Sequence, residues 1–227
     1  MIEDLMPRGV GAADSFGDPD GLSVLPAEEP LIASAVEKRR REFTTARHLA
    51  RRALGQLGVE PVPILRGERG MPVWPRHVVG SMTHCDGYRA AVTAYSMQIR
   101  SLGIDAEPHA PLPDGVLGHT SIEAERDVLT ARSAHDDGLH WDRLLFCAKE
   151  ATYKAWFPLT HRWLGFADAH IVFDRDDAVG TAGEPAGTFT STILIDGAAI
   201  DGGPPLLTLP GRWQIANGLI LTTIALT

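Results

Sequence analysis

Apolar positions between Pro30 and Leu57 return every three or four residues. Phe43, Ala46, Leu49, Ala50, Ala53, Leu54 and Leu57 form one stripe, so the spacing predicts a helix over 30–57 that Gly58 ends. At about 100° per residue, Arg40, Arg47 and Arg51 border that stripe and Arg39 points near its centre, while Arg41 and Arg52 fall on the solvated side. Strand-like runs follow at Val78 to Thr83 and Tyr88 to Tyr95, joined across Asp86-Gly87 as a hairpin. A third strand is predicted over Ser101 to Glu107. The three prolines and two glycines of Pro108 to Gly118 then read as a linker.

The second half repeats this recipe. Helical periodicity marks Ser121 to Ala131 and Trp141 to Phe157, and strands are predicted near His170 to Asp174, Thr188 to Ile195, Arg212 to Ala216 and Leu219 to Leu226. Asn217-Gly218 supplies the last hairpin turn. Helices followed by a tight hairpin in both halves imply an α+β fold of two similar subdomains, 1–107 and 108–227, packed face to face. The cleft between such halves is a favoured place for a ligand.

Composition narrows the setting. With 227 residues, 44% of them apolar, the chain can bury a substantial core. No run of eighteen apolar residues appears, and Met1 to Gly21 is rich in acids, glycines and prolines, so no membrane association is expected and a cytoplasmic location is. Cys85 and Cys147, far apart and outside any CxxC pairing, fit a reducing compartment and argue against zinc or a disulfide framework. A net charge of -8 disfavours a nucleic-acid binder. Yet seven of the 21 basic residues, Lys38, Arg39, Arg40, Arg41, Arg47, Arg51 and Arg52, fall within fifteen positions. That concentration suits the few phosphates of a small molecule.

Three segments carry candidate chemistry. In Gly103-Ile-Asp-Ala-Glu107 the two-residue period sends Asp105 and Glu107 to one face, with Cα atoms about 7 Å apart. They form either a solvated acidic strand edge or oxygen ligands for a hard cation such as Mg²⁺. On the helix at 141–157, Glu150 and Lys154 share a face with Phe146, Tyr153 and Phe157, opposite the stripe of Leu144, Leu145, Ala148, Ala151 and Ala155. They are a helical ion pair, or a metal ligand beside a phosphate contact. His84, in Ser81-Met-Thr-His84, is a structural histidine or a phosphate donor.

Taken in order, Ser81 to His84, Gly103 to Glu107 and Lys149 to Lys154 resemble the signature of the Sfp-type phosphopantetheinyl transferases, and the likeness is closer still to the actinobacterial PptT-type enzymes. It spans nearly the whole chain, including Phe146 to Thr160 and Arg162 to Phe166. The resemblance implies a monomeric, pseudo-twofold enzyme that moves the 4'-phosphopantetheine arm of coenzyme A to a serine of an apo acyl or peptidyl carrier protein of fatty-acid, polyketide or nonribosomal-peptide systems. It further implies Mg²⁺, or Mn²⁺, held by Asp105, Glu107 and Glu150, with the Ala106 carbonyl or water. By the same resemblance Arg39, Arg47 and His84 grip the 3'-phosphate, the loop Arg66, Gly67, Glu68, Arg69 and Thr83 lie near the adenosine, Lys149 and Lys154 face the pyrophosphate, and Leu164 lines the arm. Asp105, Glu150 and Lys154 are the expected catalytic set. Met71 departs from the pattern, since many relatives carry lysine there. Two other functions compete: a metal-dependent hydrolase of the coenzyme A pyrophosphate, and a non-catalytic module binding coenzyme A or carriers.

Overall fold

In a computed structural model, residues 1–133, 138–176 and 184–227 are described. Two antiparallel sheets are each crossed by a twenty-residue helix. The first sheet is built from β1 (Gly11–Phe16), β4 (Val78–Cys85) and β5 (Tyr88–Tyr95), in the order β1-β5-β4. Its helix is α1 (Glu37–Gln56), preceded by a 3-10 turn over Pro26–Ile32. Along the chain between α1 and β4, β2 (Leu65–Arg66) and β3 (Pro72–Val73) form a short ribbon. Leu49, Ala50, Ala53 and Leu54 of α1 pack on Ala13 and Ala91, which is the apolar stripe meeting its sheet.

The second sheet runs β6-β10-β9-β8-β7, from β6 (Ser101–Pro108), β7 (Ala169–Asp176), β8 (Ala186–Ile193), β9 (Thr208–Ala216) and β10 (Leu219–Leu226). Two shorter helices, α2 (Val116–Thr120) and α3 (Glu123–Ser133), precede α4 (Trp141–Thr160). α4 buries Leu144, Leu145, Ala148 and Ala155 with Phe189, Trp213 and Ile220 of this sheet. Asn217 and Gly218, at φ 53° and 72°, make the β9–β10 turn that the sequence signals.

Differences from the sequence expectations have physical causes, some local and some long-range. The helix expected from Pro30 starts at Glu37, because the preceding residues form the 3-10 turn containing Pro30. β1 was not expected; its strand lacks a long apolar run and gains its ladder from β5, more than seventy residues away. The expected linker contains α2. The strand assigned to the first half, β6, hydrogen-bonds to β10 in the second sheet. It meets the first sheet through hydroxyls instead: Ser81 Oγ accepts from Ile104 N at 3.1 Å, and Thr83 Oγ1 accepts from Ala106 N at 3.2 Å. No helix among the described residues is long and apolar enough to cross a membrane.

Candidate active site in the cleft between the sheets

A cavity of about 440 Å³ opens where β4, β6, α1, α4 and the β2–β3 ribbon converge. A larger cleft, about 680 Å³, lies on the other border of α1. It holds Arg40 and Arg41 but none of the candidate carboxylates.

The α1 and ribbon side of the smaller cavity is cationic. Arg39, Arg47, Arg66 and Arg69 line it, with His84 of β4 beside them. Arg47 is buried, donates from Nε to the Ile64 carbonyl at 2.8 Å, and lays its guanidinium 4.1 Å from the Phe43 ring centroid. Arg66 sits 5.3 Å from the same ring. Burial lowers the Arg47 pKa to about 10, with Glu28 opposing and the neighbouring arginines adding to the effect. Arg39 Nη1 lies 2.6 Å from His84 Nε2. An arginine has no acceptor, so His84 accepts and is neutral. Burial and then the Arg39 charge depress its pKa accordingly.

The β6 and α4 side is acidic. Asp105, Glu107 and Glu150 all line it, together with Phe146, Tyr153, Lys154 and Phe157. Their approach depends on Gly103: a Cβ there would collide with the Ala151 carbonyl and crowd Ala155, so glycine lets α4 lie directly on β6. Lys154 Nζ then donates to the Ile104 carbonyl at 3.0 Å and to Asp105 Oδ1 at 2.7 Å. Thr83 Oγ1 donates to the same Asp105 oxygen at 2.9 Å. Asp105 Oδ2 is buried with no hydrogen-bond partner among the described residues. Glu107 is held by Arg143 Nη1 at 2.9 Å.

Charge crowding shows in the titration. Burial, and next the charge of Asp105, raise the pKa of both Glu107 and Glu150. For Lys154, burial opposes the charged form, but Asp105 and Glu150 outweigh it and the pKa rises. Among the described residues no three His, Cys, Asp or Glu side chains stand close enough together to hold a metal ion as they are. Two of the three cavity carboxylates are instead engaged by Lys154 and Arg143.

Several expected residues lie elsewhere. Lys149 is turned into the protein, 2.7 Å from Glu125, and does not line the cavity. Leu164 is a core residue behind α4, packed with the apolar side chains of the second sheet. Ala106 is buried in the seam between the sheets, and neither it nor Gly67 or Glu68 lines the cavity. Glu68 instead pairs with His161 at 3.2 Å. Conversely, Arg143 and the aromatic platform Phe43 were not singled out as site residues. Arg143 meets Glu107 across 36 positions with no local pattern to announce it, and Phe43 was absorbed in the apolar stripe.

Comparison with known proteins adds to this geometry. The family profile described as 4'-phosphopantetheinyl transferase N-terminal domain matches residues 27–94, and that of the 4'-phosphopantetheinyl transferase superfamily matches 101–195. The chain is 59% identical to 4'-phosphopantetheinyl transferase Npt of Nocardia iowensis, over 99% of both chains. It is 58% identical to 4'-phosphopantetheinyl transferase PptT of Mycobacterium tuberculosis, over 94% of this chain and 91% of that one. It is 47% identical to 4'-phosphopantetheinyl transferase Svp of Streptomyces mobaraensis, over 99% of this chain and 89% of that one.

Proposed function

The chain belongs to the 4'-phosphopantetheinyl transferase superfamily, and on that basis we propose that it transfers the 4'-phosphopantetheine arm of coenzyme A to a serine of an apo carrier protein, with Mg²⁺ or Mn²⁺ held between Asp105, Glu107 and Glu150. The observation that supports the ion most directly is the unpartnered, buried Oδ2 of Asp105, beside two glutamates whose pKa values burial and then its charge raise. An all-oxygen set of this kind fits a hard divalent cation. Its binding would require Lys154 and Arg143 to loosen their hold on Asp105 and Glu107. When bound, the ion would supply neutralisation of the pyrophosphate charge.

The remaining steps belong to the side chains. Arg39, Arg47 and His84 would take the 3'-phosphate, the neutral imidazole donating from its N–H, while Arg66 and Arg69 flank the nucleotide in place of the lysine that Met71 replaces. Glu150, ionised, accepts the proton of the carrier serine, directly or through water; its raised pKa brings it nearer to neutral pH than an ordinary glutamate. The serine oxygen forms its bond to the phosphorus of the phosphopantetheine arm as the bond to the bridging oxygen of 3',5'-ADP breaks. Lys154, at the acidic wall, balances the charge left on the departing phosphate.

Mass spectrometry of an apo carrier incubated with the protein, coenzyme A and Mg²⁺ tests this reading. Gain of one phosphopantetheine supports it. Cleaved coenzyme A with an unchanged carrier would indicate hydrolysis, and no change in either would leave a binding module.

A further inference from the structure

Lys149 stands next to Glu150 in the segment that resembles the transferase signature, yet its ammonium is fully occupied away from the cavity. Nζ meets Glu125 Oε2 at 2.7 Å, the Phe166 carbonyl at 2.5 Å and the Ala169 carbonyl at 3.1 Å. A lysine has three donors, and these three acceptors use them all. The two side chains of the pair are 3% and 1% exposed. Glu125 is satisfied in turn: Oε1 accepts from Ile171 N at 2.8 Å and Oε2 from Ile122 N at 2.9 Å.

This one pair therefore ties three elements together. Glu125 comes from α3, Lys149 from α4, and the backbone groups they hold include the start of β7 and the turn before it. Consecutive helix residues point about 100° apart, so fixing Lys149 on the buried side fixes where Glu150 points. Lys154 follows one turn beyond Glu150 and is set by the same rotation. We propose that Lys149 is a positioning residue and not a phosphate ligand: with Glu125 it locks the rotation of α4 so that Glu150 and Lys154 face the cavity. The inference rests on the transferase reading for the roles of Glu150 and Lys154. Its tests do not all need turnover.

The experiment compares Lys149→Met, Glu125→Gln and the double variant with the unaltered chain. Coenzyme A affinity is read by calorimetry, kcat by carrier loading, and the Glu150 carboxyl midpoint by ¹³C NMR in metal-free protein. Both single variants are expected to lower kcat by about 10²-fold, the loss that a misplacement of about 1 Å of a catalytic group can cause. Coenzyme A Kd should stay within about twofold, and the Glu150 midpoint should move because its distance from Asp105 changes. The double variant should recover part of the loss, since most of the damage in either single comes from one unpaired buried partner. Glu125→Gln is nearly isosteric and carries the test alone should Lys149→Met not fold. A rise of about tenfold or more in coenzyme A Kd for Lys149→Met, with Glu125→Gln unaffected, would overturn the proposal, because loss of a charge-assisted phosphate contact has that signature. So would an unmoved Glu150 midpoint in both variants. Failure of the transferase reading itself would appear differently, as an unaltered chain that never loads a carrier.

Discussion

The ammonium of Lys154 lies 2.7 Å from Asp105 Oδ1, and it reaches that oxygen only because α4 rides on β6 at Gly103. Helix, strand and charge pair are thus one arrangement. The lysine also donates to the Ile104 carbonyl, so the contact fastens the backbone of β6 as well as its carboxylate.

Gly103→Ala should disturb this crossing first. Its methyl group would meet the Ala151 carbonyl, which is backbone and cannot swing aside. Overpacking of this kind costs about 1–3 kcal/mol. Denaturant unfolding should show that loss, accompanied by weaker carrier loading as Glu150 and Lys154 retreat from Asp105.

Glu150→Gln keeps the shape of the side chain and removes its basicity. Carrier loading should fall by about 10²–10⁴-fold, the range of a lost general base. Calorimetry should still find coenzyme A bound with little change in affinity. A variant that loads carriers at the normal rate would remove Glu150 from the base role.

Arg47→Ala should act on the other end of the cavity. The guanidinium is held by Ile64 and Phe43 and lines the cavity at the end proposed for the 3'-phosphate, so its loss is expected to raise the KM for coenzyme A by roughly 10- to 100-fold, as for a hydrogen bond to a charged group. The kcat at saturating coenzyme A should change much less. An unchanged KM would take Arg47 out of the phosphate site.

The titration of Glu150 has a definite sign. In metal-free protein its carboxyl should lose its proton above the ordinary value of 4.5, because burial and the charges of Asp105 and Glu107 favour the neutral form. Between that value and its raised pKa the folded chain binds more protons than the unfolded one, so this group's contribution to stability falls as pH rises. Asp105→Asn removes a negative neighbour and should bring the midpoint down. NMR of the labelled carboxyl reads both effects directly.

Local periodicity carried much of the architecture. The α1 and α4 stripes, the β4–β5 hairpin and the Asn217-Gly218 turn are short-range patterns whose physics lies within a few residues. β1 and the partner of β6 were not legible, because each depends on a strand far along the chain. The site divides the same way. Alternation in β6 placed Asp105 and Glu107 on a shared face, and both line the cavity. The destination of Lys149 depends on Glu125, twenty-four residues earlier on another helix, and no spacing rule reports a buried partner of that kind. Nor does any such rule reveal that Arg143 will hold Glu107.

The central claim is that Asp105 and Glu150 serve one divalent ion, and Mn²⁺ binding tests it most directly. Free Mn²⁺ would be followed by electron paramagnetic resonance as it is titrated into the protein at a fixed coenzyme A concentration. The account predicts one site per chain that weakens markedly in both Asp105→Asn and Glu150→Gln. Equal Mn²⁺ affinity in all three proteins would contradict it.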